Sequence, residues 1–399
     1  MKILIPNLIF LYWLLFLNSC AEKQKKAEKD KDTTTFTLPS LDPPLTSYPL
    51  VEGLTLPWGI VWGPDNRLWV TERYGRISHI DPENGERHTL LVLKNVAFGD
   101  PKKYPDKVIT PNSGLLDIAL DPDFPTKPYV YVVYCKAVHD TFCVNCLSRF
   151  TYKPDTLIDE KVIFDKVQAY SQHDAGRLLF DKTGKILFTT GDYMEDERAQ
   201  EDTSLNGKIL RLNTDGSIPS DNPNPKSYIW AKGFRDPEGL AFGPTGILYN
   251  SDHGPDTDDE VNIITKGGNY GWAKIRGIVD KDSELVFDKT HNIIEPIWYW
   301  TPTLAPGGIA YFHNSEYPFY DNSIFVAFLK GARLLQLKLD KTGSRVVQTH
   351  TYLQKEFGRL RSLCVAPDGR IFAATSNSDG RWSSVGTDDK IITILLPKL

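Results

Sequence analysis

The body of this 399-residue chain contains no block of lysine or arginine, and its formal net charge is -5. A nucleic-acid binder needs a basic stripe, so that class of function is set aside. Sustained helical periodicity is missing too, which leaves strands to build the core. The long apolar run is confined to residues 3–17, where Pro6 and Asn7 interrupt it, and a bilayer span needs roughly 20 apolar residues. Cysteine is scarce, with five in the chain. "CVNCL" is not followed by histidine, so covalent c-type haem is not indicated, and a single C-x-x-C is a weak zinc signal. Core material is ample: 41% of residues are hydrophobic and 12% aromatic, a globular composition.

One early lysine, a short apolar stretch and small polar residues before Cys20 read as a secretory signal peptide over 1–19. "LNSC" resembles a bacterial lipobox, in which the cysteine becomes the lipidated first residue. Cys20 is then the lipidation site, and its acyl chains hold an exported protein to a bacterial membrane, facing the periplasm or the cell surface. The lipid is the one membrane contact expected. Residues 20–44, rich in Lys, Glu, Asp and Thr, read as a flexible tether, and the folded domain is expected over 45–399. In an exported protein Cys135 could pair with Cys143 or Cys146, or Cys143 with Cys146, and the pairing among these and Cys364 stays open. The sequence does not choose among these, and a local staple is expected rather than chemistry.

One pattern recurs along the chain: a small residue, an apolar run, a Pro/Asp/Gly turn and a second apolar run. Its copies are "GIVWGPDNRLWVTE" from Gly59, "GLLDIALDPDFPTKPYVYVVY" from Gly114, "GRLLFDKTGKILFTTGD" from Gly176, "GLAFGPTGILYNSD" from Gly239, "GIAYFHNSEYPFYDNSIFVAF" from Gly308 and "SLCVAPDGRIFAATS" from Ser362. Each is a hairpin by length and turn chemistry. Spacings of roughly 55–70 residues leave room for four strands per unit. The fold class is therefore all-β, a six-bladed β-propeller of four-stranded antiparallel sheets. Functional groups in such arrays sit on loops at one end of the axis, where distant segments converge.

Several of those loops are polar. "SQHDAGRLLF" places His173 and Arg177 before the third hairpin, and "TTGD" ends it at Asp192. "GFRDPEGLAF" places Arg235, Asp236 and Glu238 before the fourth. Lys330 follows the fifth, and Arg359 and Arg361 precede the sixth. Together the cations suit a small polyanion. "SDHGPDTDDE", residues 251–260, crowds five carboxylates around a Gly-Pro step with His253 as the one offsetting group. Such a run either lies in water or surrounds a cation. It is not an EF-hand, because its glycine and closing glutamate fall at other positions.

With these residues the chain resembles the soluble quinoprotein sugar dehydrogenases, which include soluble glucose dehydrogenase dependent on pyrroloquinoline quinone (PQQ) and the aldose sugar dehydrogenases. The likeness covers almost the whole propeller and is most specific over "GFRDPEGLAFGPTGILYNSDHGPDTDDEVNIITKGGNYGW", residues 233–272. The resemblance implies two cofactors, PQQ and Ca2+. It implies one calcium at the backbone carbonyls of Gly254 and Pro255, beside the quinone. A second, structural calcium is implied at Glu260 and Asp280, with carbonyls near Arg276 and Ile278, a mixture of oxygen donors that Ca2+ accepts. Lys330, Arg359 and Arg361 match PQQ-contacting cations, and Asp236, Thr303 and His253 fall at cofactor-lining positions. His173 matches the general base that takes the anomeric proton, Asp192 the carboxylate that orients it, and Arg235 an arginine that stabilises charge on the reduced quinone. The reaction implied is oxidation of an aldose at C1 to a lactone, with electrons passed to an external quinone or cytochrome.

The chain departs from the soluble glucose enzyme in its sugar pocket. Gln172 stands where that enzyme has an acid, Asn112 where it has a glutamine, and Thr301 replaces a tryptophan, with Trp298 nearby as a candidate contact. Broad aldose oxidation is therefore expected rather than glucose specificity. Relatives commonly dimerise, and a homodimer stays open. Two other readings compete: a propeller that binds without turnover, which would be expected to lack the base or the cations, and a calcium propeller lactonase, which needs no cationic cluster.

Overall fold

The computed structural model describes residues 43–97, 113–139, 142–169, 172–381 and 389–399. The expectations for the leader, the tether, Cys20 and Asn112 fall outside the described residues. The rest form six four-stranded antiparallel sheets, and the innermost strand of each contacts the innermost strands of both neighbours around a closed ring. This is a six-bladed β-propeller.

Blade 1 comprises Pro57–Trp62, Leu68–Glu72, Arg76–Ile80 and Arg87–Val92; blade 2 comprises Leu115–Leu120, Tyr129–His139, Phe142–Lys153 and Thr156–Ala169. Blade 3 is Leu178–Phe180, Ile186–Thr190, Lys208–Leu212 and Ile229–Lys232. Blade 4 is Pro237–Phe242, Leu248–Asp252, Asp259–Ile264 and Trp298–Trp300, and blade 5 is Pro306–Phe312, Ser323–Phe328, Arg333–Leu339 and Val346–Tyr352. Blade 6 takes Leu360–Val365, Ile371–Thr375 and Asp389–Leu395, and borrows Thr46–Leu54 as its outermost strand. That pairing runs from Thr46 opposite Leu395 to Leu54 opposite Asp389. The six repeated hairpins are the two inner strands of the six blades.

Each blade is apolar on both faces because each must pack against two neighbours. Six hydrophobic clusters result, one per gap between successive blades. Blades 1 and 2, for instance, bury Trp69, Ile77, Val130 and Phe150 together. An α-helix, Asp282–His291, interrupts blade 4 between its last two strands. Its first turn is capped by Glu284, whose carboxylate accepts the Asp280 and Lys281 N–H groups. Leu285 and Val286 on it are exposed, so it offers no apolar stripe for periodicity to detect.

The expected disulfide staple is not formed: Cys135, Cys143, Cys146 and Cys364 are all free. Register gives the reason. Cys135 lies opposite Asn145, so Cys143 is its diagonal neighbour at about 7–8 Å, too far for a disulfide. Cys146 is one residue off and points to the other face, as does Cys143 relative to Cys146. Cys135 donates instead to Asn145 Oδ1 at 3.2 Å.

The axis is polar, and Arg177 of blade 3 holds it. Its Nη1 donates to Asp117 Oδ1 of blade 2 and to Ser362 Oγ of blade 6, both at 3.1 Å. Its Nε donates to the Glu238 carbonyl of blade 4 at 3.0 Å, and its guanidinium lies 4.1 Å over the ring of Trp58 in blade 1. Asp117 Oδ2 also accepts Leu178 N–H at 2.9 Å. Gly59 lets the inner strand of blade 1 approach, since a Cβ there would sit 2.6 Å from Asp117 Oδ1. Removing the cation strands a buried carboxylate. Arg177→Met is expected to lower unfolding free energy by about 3–5 kcal/mol in urea titrations, whereas exposed Arg345→Ala should change it by less than about 0.5 kcal/mol.

Candidate active site

The loop entering blade 3 turns sharply at His173 and Ala175, both at positive φ (57° and 49°). Its partner is Gly191, where a Cβ would lie 1.9 Å from the His173 carbonyl oxygen; glycine alone permits this approach. The turn sets His173 Nδ1 2.7 Å from Asp192 Oδ1. Asp192 is fully buried and held from two other sides. Oδ1 accepts Met194 N–H at 2.9 Å, and Oδ2 accepts Trp272 Nε1–H at 2.9 Å. A carboxylate so fixed makes Nδ1 the protonated nitrogen of His173 and leaves the Nε2 lone pair free to accept a proton.

Arg235 and Asp236 owe their position to Asp252, which accepts Arg235 N–H at 2.9 Å and Asp236 N–H at 2.7 Å. Asp259 performs the same service across loops. Its Oδ1 accepts Gly254 N–H at 3.0 Å and Thr303 Oγ1–H at 2.6 Å, while Oδ2 takes the N–H groups of Leu304 and Ala305. Backbone donors thus offset part of the cost of burying these two carboxylates, although burial still raises the pKa of both. Arg235 Nη1 donates to the Gly254 carbonyl at 3.1 Å, and its guanidinium lies 5.6 Å from the Trp272 ring.

These segments surround a cavity of about 360 Å³ at the axis. Blade 3 contributes Gln172 and His173. Blade 4 contributes Arg235, Asp236, Glu238, His253, Gly254 and Pro255. The loop into blade 5 adds Thr303, its second hairpin turn adds Lys330, and blade 6 adds Arg359 and Arg361. Arg381 lines it as well, a cation the sequence reading missed although it follows the sixth hairpin as Lys330 follows the fifth. Arg359 pairs with Asp379 (Nε to Oδ2, 2.9 Å) and Arg361 with Glu238 (Nη1 to Oε1, 2.9 Å). Lys330 and Arg381 are exposed at the rim.

Burial sets the protonation states. It pushes Asp236 up to about 7, with the Glu238 charge adding to the effect. It pushes His253 down to about 3, so that imidazole is neutral. Burial also lowers Arg359, against the pull of Asp379. Asp236 Oδ1, Glu238 Oε2, His253 Nε2 and Arg361 Nε are all buried with no partner among the described residues. An unmet buried donor or acceptor costs about 1–3 kcal/mol, so four of them around one cavity constitute a demand for a polar ligand.

Other expected site residues lie apart from the cavity. Glu260 is buried and pushed up to about 7 by that burial, with Oε1 accepting Gly277 N–H and Oε2 accepting Asn262 Nδ2–H, each at 2.9 Å. Asp280 is exposed and lies 3.4 Å from Lys281 Nζ. Trp298 does not line the cavity: it starts the outermost strand of blade 4, opposite Val261, and packs into the core between blades 4 and 5. An aromatic on a strand pairing with an apolar neighbour is drawn to that core rather than to a polar mouth.

The family model for glucose/sorbosone dehydrogenase matches residues 54–385. This chain belongs to that family. Within it, the chain is 29% identical to quinoprotein glucose dehydrogenase B of Acinetobacter calcoaceticus, over 86% of this chain and 87% of that one. It is 27% identical to an aldose sugar dehydrogenase of Escherichia coli, over 84% and 91%. Among solved structures it is similar to the PQQ-bound form of an aldose sugar dehydrogenase from Streptomyces coelicolor, with TM-score 0.74 and 29% identity over 88% of this chain and 99% of that one.

The titration of Asp236 is testable without any ligand. A carboxyl raised from about 4 stabilises the fold fully below its unfolded value, and that contribution is lost as pH climbs through about 7. In thermal melts of cofactor-free protein from pH 4 to 8, the Tm of Asp236→Asn relative to wild type should climb with pH. A constant difference would mean that Asp236 titrates as an ordinary carboxylate.

Proposed function

We propose that this protein oxidises aldose sugars at C1 to lactones using PQQ and calcium, and passes the electrons to an external quinone or cytochrome. The observation that carries the reading is the Asp192–His173 pair opening onto the same cavity as Arg235, Lys330, Arg359, Arg361 and Arg381. A base beside a cationic basket is what a dehydrogenase with a polyanionic cofactor requires. The residues fit PQQ by the chemistry of the donor set: rim and wall cations match its carboxylates, and the unpartnered buried atoms of Arg361, His253 and Asp236 supply hydrogen-bonding capacity. When bound, PQQ supplies the ortho-quinone that accepts hydride from the sugar, and calcium supplies Lewis-acid polarisation.

Lys330, Arg359, Arg361 and Arg381 would hold the carboxylates, and Thr303, Asp236 and His253 the remaining polar edge. Gly254 and Pro255 would offer carbonyl oxygens to one calcium. Glu260, a buried carboxylate with no ion pair among the described residues, would serve the second together with Asp280. His173 Nε2 takes the anomeric hydroxyl proton, and Asp192 holds the ring and stabilises the imidazolium. Arg235 stabilises negative charge that develops in the cavity. Gln172, uncharged at the cavity wall, favours a range of aldoses over one. The lipobox-like leader and Cys20 support an exported, lipid-anchored protein.

The first test reconstitutes purified protein with PQQ and Ca2+ and follows dye reduction with aldoses, alcohols and lactones. Turnover of aldoses that needs both cofactors is expected, and PQQ binding without aldose turnover would overturn the substrate class. His173→Ala should lower kcat by about 10²–10⁴-fold while PQQ binding, read by absorbance, is retained. Chelating calcium should release PQQ and lower Tm by linkage, and a Tm indifferent to chelator would remove both calcium assignments.

A further inference from the structure

On the outer strands of blade 1, His79 stands directly opposite His88, with ring centroids 5.0 Å apart. The turn joining the last two strands of blade 2 brings Asp155 against them, at positive φ (64°). Asp155 Oδ1 is 3.8 Å from His88 Nε2, which also lies 3.3 Å from the Asp155 carbonyl oxygen. One ligating atom from each of the three side chains lies within 4.8 Å of the other two; among the described residues no other trio of His, Cys, Asp or Glu meets this condition. None of the three lines the axial cavity.

The geometry points to a transition-metal site of the zinc class between blades 1 and 2, with His79, His88 and Asp155 as protein ligands and water completing the shell. Two imidazoles and a carboxylate are the donor set that borderline divalent ions take, whereas calcium and magnesium take oxygen. The arrangement is rigid on one side and adjustable on the other. His79 is buried and wedged edge-on against Trp69 at 6.0 Å, while His88 and Asp155 are exposed and free to close by the ångström that coordination requires. Arg67 Nη1 lies 3.1 Å from His79 Nδ1 and 3.3 Å from Nε2. Arg67 is exposed and can swing away when the ion enters. A bound ion would add a coordinate link between the outer edges of two blades that already meet through apolar packing and a few hydrogen bonds.

The test adds Zn2+ to the full chain held in saturating Ca2+ and PQQ, so that the axial sites are filled, and reads Tm and the visible spectrum of the Co2+ form. At a hundredfold excess over Kd the Tm should rise by about 3–5 °C. One equivalent of Co2+ should develop a d–d band. His88→Ala should lose both signals with its metal-free Tm unchanged, and Asp155→Ala should bind at least about tenfold more weakly. No Tm shift in wild type, or variants that respond as wild type does, overturns the site. Should His88→Ala melt early on its own, Cu2+ resonance of the wild-type protein decides: hyperfine splitting from two imidazole nitrogens supports the site, and splitting from one or none overturns it.

Discussion

One guanidinium reaches five of the six blades. Arg177 belongs to blade 3, ion-pairs with blade 2, hydrogen-bonds to blades 4 and 6, and stacks on a tryptophan of blade 1. Hydrophobic packing between blades is non-directional and by itself does not specify how closely the inner strands converge. A planar cation with five donors does, because its partners must sit where the fork points. The axial cavity inherits its dimensions from this constraint. Glu238, whose carbonyl Arg177 holds, places its carboxylate on Arg361 at the cavity wall.

Above that hub the site is built by carboxylates that never face a ligand. Asp252 fixes the backbone carrying Arg235 and Asp236, and Asp259 clasps the Gly254 loop to the Thr303 loop. Asp192 does the same for His173. Each substitutes for secondary structure by gathering N–H or imidazole donors from segments far apart in sequence. The groups left over, chiefly the cations and the unpartnered atoms of Asp236, His253 and Arg361, are those that point inward. Scaffold and recognition are thereby divided between carboxylates that gather donors from the backbone and groups that line the cavity.

This division explains what the sequence revealed and what it concealed. Inner hairpins were legible because both faces are buried, as in Leu68–Glu72 and Ile371–Thr375, and an apolar run between turn residues has one reading. Outer strands such as Arg87–Val92 and Val346–Tyr352 are mostly exposed or half-buried and carry little pattern, and the same holds for the strand Thr46–Leu54 that completes blade 6. The helix of blade 4 was illegible for the same reason. His173, Asp192 and the cations other than Arg381 could be named from the run of residues around them. The work of Asp252 and Asp259 could not, since their partners are main-chain amides brought near only by the finished fold. Nor could the cysteines' separation, which depends on a register of one residue.

Blade 6 is assembled from the first strand of the domain and its last three. During synthesis the inner strands of five blades can exist before Asp389–Leu395 has been made, but until then Thr46–Leu54 has no partner and the array has two raw edges. Such edges are templates for pairing with other chains, so the interval between the fifth blade and the last strand is the period of greatest exposure to misassembly. Once closed, both ends of the domain lie side by side on one sheet, and a cut at either end opens the same seam.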